Sequence, residues 1–199
     1  MEKLTTLEEQ GFLKRYDQEG ASDDDFSPAS RFLDLGTGNG HMLFTLREGI
    51  AGEEFWGGEM VGVDYSVTSI DLARRLGVRR NSEDIRFEEW DLLTAPPGNW
   101  LQGGFDVVLD KGTFDAISLM TRIEGTRNSC HLYRDNVIPL IRSGGFLLIT
   151  SCNWTRDELQ EWLVTPNSGL EYYDEIKYPT FMFGGKTGSS IVTLVLKRL

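Results

Sequence analysis

Residues 32–46, FLDLGTGNGHMLFTL, decide how this chain is read. A short apolar run ends in Gly36, Gly38 and Gly40, and a helical pattern of apolar positions follows from His41. That order spells strand, glycine turn and helix. Glycines let the backbone turn tightly and approach a ligand closely, and the first turn of a helix offers N–H groups to an anion. Spacing discriminates between ligands. Dinucleotide sites need GxGxxG, but position 41 is His41, so the pattern here is GxGxG. Asp34, two residues before the first glycine, suits a cation and would repel a pyrophosphate. The alternative is a glycine turn with packing value alone.

Working outward, the runs 31–36, 60–64, 85–91, 105–110 and 145–150 read as strands. Between them, residues 41–49 and 66–77 read as helices, the second capped by Ser66 and stopped by Gly77. Residues 128–145 also read as helical, ending at Gly144 or Gly145. Thr155 and Glu158 form a capping-box pattern that opens a further helix. The last third is predicted to be a β-hairpin turning at Gly184-Gly185-Lys186-Thr187-Gly188. The expected fold is therefore α/β: a doubly wound, mostly parallel seven-stranded sheet, the Rossmann-like class I methyltransferase type, with a C-terminal antiparallel hairpin. Residues 1–30 are expected to form a helix and an acidic loop, and 31–199 one domain.

At 199 residues, with 40% hydrophobic and 11% aromatic content, the chain can bury a substantial core. No apolar run approaches the length of a membrane span, and the charged start is no signal peptide. Cys130 and Cys152 form neither a disulfide framework nor a CxxC pair, which suits a cytoplasmic protein. His41 and His131 have no partner at metal spacing, so no metal is expected. The net charge of −11 argues against a nucleic-acid partner and favours a basic protein, with solubility alone as the bland alternative. The chain is expected to be a monomer.

In such sheets ligands sit at the carboxyl ends of the strands, near the topological switch point. Asp64 ends the second strand, where a carboxylate can accept both hydroxyls of a ribose; Tyr65 stands beside it. A helix cap is the alternative for Asp64. Asp91 and Leu92 follow the third strand, the carboxylate suited to an adenine amine and the apolar group to the ring's face. Asp110 ends the fourth strand, with a helix cap or an ion pair as the alternative. Together with the glycine spacing these residues favour S-adenosylmethionine (AdoMet), which carries an ammonium, a carboxylate and a sulfonium but no phosphate.

FLDLGTGNGHMLFTL, VGVDYS (61–66), LDKGTFDAISL (109–119), LLITSCNWTRDEL (147–159) and FMFGGKTGSS (181–190) together resemble the seven-β-strand protein-lysine methyltransferases that modify translation elongation factor 1-alpha. The resemblance implies AdoMet-dependent methylation of a lysine on that basic protein. It implies that Asp34, Gly36, Gly38 and Gly40 hold the methionine end, Asp64 the ribose and Asp91 the adenine, with Asp110 at the lysine entrance. Phe114, Trp154 and Asn153 are candidates for the lysine channel, against core packing for Phe114 and a simple turn for Asn153. The resembled family begins with an aromatic segment ahead of the glycine motif. Here no Trp precedes Gly36, so weaker AdoMet binding and turnover are expected. An RNA or small-molecule methyltransferase and a non-catalytic AdoMet binder remain the alternatives.

Overall fold

The computed structural model describes residues 1–17, 27–49, 54–120, 128–179, 181–183, 186–188 and 190–199. Helix α1 (Glu2–Glu9) precedes β1 (Phe32–Leu35), α2 (His41–Glu48), β2 (Met60–Asp64), α3 (Val67–Arg80), β3 (Arg86–Glu89) and β4 (Phe105–Lys111). Then come α4 (Thr113–Ser118), α5 (Ser129–Val137), β5 (Ile141–Ser151), α6 (Arg156–Leu163) and β6 (Leu170–Ile176). The short strands β7 (Phe181–Phe183) and β8 (Lys186–Gly188) pair only with each other, and β9 (Val192–Arg198) ends the chain.

Seven strands form one sheet in the order β3-β2-β1-β4-β5-β9-β6. All neighbours run parallel as far as β5, whereas β9 lies antiparallel between β5 and β6. The expected mixed seven-stranded sheet with one antiparallel strand is what forms. The chain steps outward from β1 to β3 and then returns to start β4 on the other side of β1. That reversal makes the switch point, with the tips of β1 and β4 side by side.

Alternation along the strands divides the core between the two faces. Leu33, Leu35, Val61, Val63, Val108 and Leu147 lie in the cluster beneath α4, α5 and α6. Phe32, Met60, Val107, Leu109, Phe146 and Leu148 lie in the cluster that holds α1, α2 and α3. Continuous apolar runs are what a sheet covered on both faces requires, each fully buried large side chain contributing ~1.5–3 kcal/mol. Helix α1 belongs to this core through Leu4 and Leu7, and Lys3 pairs with Asp174 of β6.

Several boundaries differ from the sequence expectation. Helix α3 passes through Gly77 and stops at Asn81, which takes the left-handed conformation (φ 52°). The cap at its start is as expected: Ser66 Oγ accepts from the Ser69 amide. The helix expected over 128–145 ends at Val137, and a 3-10 turn over Ile138–Leu140 containing Pro139 leads into β5. Proline lacks the amide a continuing helix needs. Gly144 (φ 77°) and Gly145 instead serve an irregularity in the β4–β5 pairing, where a Cβ on Gly145 would lie 2.9 Å from the Phe105 carbonyl oxygen. Thr155 and Glu158 form the expected capping box of α6. The terminal hairpin forms between β6 and β9, but Lys186–Gly188 is a strand rather than part of a turn. Gly184 and Gly185 lie outside the described residues.

If α1 is integral to the core, Leu7→Ala should cost about 2–5 kcal/mol in urea unfolding. Leu72→Ala on the exposed face of α3 should change stability by less than ~0.5 kcal/mol. Equal effects would detach α1 from the folded unit.

Candidate active site

The tips of β1 to β4 and the start of α4 surround a cleft of about 540 Å³. Its walls are mainly apolar, with Leu35, Val63, Trp90, Leu92 and Ile117, and they include the carboxylates of Asp64 and Asp91. Gly36, Tyr65 and Lys111 also border it. Of the residues singled out in the sequence, the cleft thus gathers Gly36, Asp64, Tyr65, Asp91 and Leu92.

The glycine turn is built by close contact. Gly36 has φ 63°, and a Cβ there would lie 2.1 Å from Thr113 Oγ1 of α4. Gly40, also left-handed, would drive a Cβ to 2.7 Å from the Phe87 ring. Thr113 Oγ1 donates to the Leu35 carbonyl at 2.7 Å, tying α4 to the tip of β1. Four amides of the glycine turn and the start of α2 are used by the fold itself. Thr37 N–H donates to Val63 O, Gly38 N–H to Asp64 Oδ2, Gly40 N–H to Thr37 O and His41 N–H to Asn39 Oδ1. Asp34, Asp64 and Asp91 add negative charge near the turn, which disfavours a pyrophosphate.

Asp64 accepts from Gly38 N–H at 3.0 Å and from Ser66 N–H at 2.9 Å, one on each oxygen. A carboxylate has about four acceptor sites, so each oxygen keeps capacity for a hydroxyl. Asp91 is half-buried and accepts from Leu93 N–H and Thr94 Oγ1, which shapes the loop after β3. Tyr65 is 78% exposed at the rim.

Asp34 and Asp110 lie deeper, on adjacent strands, where Asp110 is the register partner of Leu35. Asp34 is 4% exposed and accepts from Thr37 Oγ1 at 2.7 Å. Burial pushes its carboxyl up to about 7; the Thr37 hydroxyl and the Lys111 charge pull it back, and Asp64 pushes it further. Asp110 is 1% exposed. It accepts from the Thr113 amide at 2.9 Å, the Phe114 amide at 3.1 Å and the Tyr133 hydroxyl at 2.6 Å. Its carboxyl is also raised to about 7 by burial, against the pull of those three donors, with Asp34 adding to the rise. Burial, then Asp110, drives the Tyr133 hydroxyl well above its ordinary value. The carboxylate of Asp110 therefore holds the start of α4, the helix-cap alternative for this residue.

Phe114 is also core: it is fully buried, with Tyr133 and Trp154 rings at centroid distances of 4.9 and 6.1 Å. Asn153 is exposed and borders a second cleft of about 320 Å³ with Trp154, Arg156 and Ser190. This loop at the end of β5 is held by two residues the sequence reading did not assign. Asp115 accepts from Ser151 Oγ and from Cys152 N–H, while Ser151 Oγ accepts from the Asn153 and Trp154 amides. Trp154 Nε1 donates to Ser118 Oγ on α4. The available signal was a second carboxylate, in the first turn of α4.

A family model described as a methyltransferase domain matches residues 26–183. Protein-lysine N-methyltransferase EFM4 of Saccharomyces cerevisiae is 42% identical over 164 residues, which cover 81% of this chain and 67% of that protein. EEF1A lysine methyltransferase 2 of Danio rerio is 38% identical over 173 residues, covering 86% of this chain and 68% of its own. The chain belongs to the EFM4/EEF1A lysine methyltransferase 2 family. It spans about two thirds of the length of these relatives. The fold of this family member is shared with a TehB-like SAM-dependent methyltransferase from Corynebacterium glutamicum, at TM-score 0.61 and 16% identity, covering 100% of this chain and 95% of that one.

Two outcomes follow for this lysine-methyltransferase family member. A carboxyl whose folded value exceeds its unfolded one binds its proton more tightly when folded. Its contribution is complete below about pH 4 and lost as pH rises through about 7. Wild type should lose up to ~1.4 kcal/mol per pH unit and per proton across this window, and Asp34→Asn should lose less. Urea unfolding at pH 5 and pH 8 checks this; parallel slopes would contradict it. Asp115→Asn should loosen the loop after β5. Trp154 fluorescence should become more quenchable by iodide, with AdoMet affinity within about twofold of wild type, because Asp115 does not border the larger cleft.

Proposed function

We propose that this chain is an AdoMet-dependent protein-lysine N-methyltransferase acting on translation elongation factor 1-alpha, with residues 31–199 as its catalytic domain. The observation that carries this reading is the cleft at the switch point. It is apolar and edged with carboxylates, and the amides of Thr37, Gly38, Gly40 and His41 are already engaged, in a chain 42% identical to a named lysine methyltransferase. Such a cleft suits a cationic adenosyl ligand without phosphate. Asp64 would take the ribose hydroxyls, and Asp91 with Leu92, Trp90 and Tyr65 the adenine. Asp34, Gly36, Gly38 and Gly40 would shape the methionine end, Asp34 acting through its charge from behind Thr37.

When bound, AdoMet supplies a methyl group activated by the sulfonium charge. The chain's own task is to bring a neutral amine in line with it. Lysine has an ordinary pKa near 10.4, so deprotonation at pH 7 costs roughly 4–5 kcal/mol. An apolar channel lowers that cost by disfavouring the ammonium, and fixing the amine's position removes further kcal/mol from the barrier. Asp110 acts as a positioning residue: it fixes Thr113 and Phe114 at the point where the β4 tip meets the cleft. Asn153 and Trp154, held by Asp115 and Ser151, border the side from which the target lysine arrives. The surface charge of −11 favours a basic partner, and the chain acts as a cytoplasmic monomer. No helix among the described residues is long and apolar enough to cross a membrane.

Incubation with labelled AdoMet and purified elongation factor 1-alpha, followed by acid hydrolysis, should yield labelled methyl-lysine. Asp64→Ala should reduce transfer at least tenfold, since it removes a charge-assisted acceptor. Label appearing in RNA, or none in any protein with the wild-type chain, would overturn the proposal.

A further inference from the structure

The donor expected in the cleft carries a carboxylate as well as its two cationic groups, and many of the backbone and side-chain donors around the cleft are already engaged. The amides of Thr37, Gly38, Gly40 and His41 are engaged within the glycine turn. At the β4 tip, the Gly112 amide donates to Thr150 O, and the Thr113 amide to Asp110. The hydroxyls of Thr113 and Thr94 donate to Leu35 O and Asp91. Across the loop after β3, the Leu93 amide donates to Asp91 and the Trp90 indole to Ala95 and Pro96 carbonyls. Asp34, Asp64 and Asp91 add negative charge around the same space. A carboxylate stripped of water there needs a cation or a strong donor.

Among the described residues bordering the cleft, Lys111 is the only cation. It is the last residue of β4, its side chain is exposed, and no carboxylate among the described residues lies within ion-pairing distance of it. Its charge nevertheless reaches Asp34, buried on β1 beside the glycine turn. We propose that Lys111 receives the carboxylate of AdoMet's methionine end, while Asp34 favours the ammonium. The methionine zwitterion then meets one charge of each sign, and Lys111 selects carboxylate-bearing adenosyl sulfonium ligands over those that lack the group. This inference rests on the cofactor reading above.

The test is isothermal titration of the full chain and its Lys111→Gln and Lys111→Arg variants with two ligands. One is AdoMet; the other is decarboxylated AdoMet, which keeps the adenosine, sulfonium and amine but has hydrogen in place of the carboxylate. Lys111→Gln should raise the Kd for AdoMet about tenfold or more, the worth of a charge-assisted bond. It should leave the Kd for the decarboxylated ligand unchanged within about twofold, or tighten it, because a like charge has gone. Lys111→Arg should recover most of the AdoMet affinity. The residue is exposed, so the thermal midpoint should be unaltered in both variants. Equal weakening for the two ligands, or no weakening of AdoMet, would overturn the assignment of Lys111 alone. Failure of the wild-type chain to bind either ligand would instead bring down the cofactor reading beneath it.

Discussion

Carboxylates at the strand tips that accept backbone amides hold this structure in its working shape. Asp64 joins the β2 tip to the glycine turn through Gly38 and to α3 through Ser66. Asp110 collects the first amides of α4 and the hydroxyl of Tyr133 from α5. Asp115 takes the Cys152 amide and the Ser151 hydroxyl at the end of β5. Each bond satisfies a donor that a strand-to-helix junction would otherwise leave unmade, which would cost ~1–3 kcal/mol if buried. These bonds tie each junction to its neighbours around the cleft.

The same arrangement sets the chemistry of the site. Donors consumed by the fold are unavailable to an incoming anion, so the cleft presents acceptors and apolar walls to its ligand. Burial of Asp34 and Asp110 on neighbouring strands raises both carboxyls to about 7, which concentrates a titratable reserve behind the turn. A cationic ligand nearby favours the charged form of those groups and would lower their values. Lys111 stands out in this acidic setting as the one positive side chain among the described residues at the cleft's border.

How much of this was legible depended on the range of the interaction involved. The run from Phe32 to Leu46 announced strand, turn and helix because glycine spacing and apolar periodicity are local signals. That Asp64 stands at the cleft was legible for the same reason, since it ends a buried strand at the carboxyl edge of the sheet. Asp110 shares the face of Val108, under α4 and α5, and its partner Tyr133, 23 positions away, is not announced by any local signal. The Asp115–Ser151 pair spans 36 positions, and nothing local announces such a partner. Helix ends were missed where a competing signal prevailed, as Asn81 did over Gly77 and Pro139 over Gly144.

The central claim is that a cleft edged with carboxylates, with four amides of its glycine turn and helix start engaged by the fold, admits a phosphate-free adenosyl cation and refuses a dinucleotide. Calorimetric titration of the full chain with AdoMet and separately with NAD tests it most directly. The account predicts saturable one-to-one binding of AdoMet and no detectable heat of binding for NAD at the same concentrations. Saturable uptake of NAD with AdoMet ignored would contradict it.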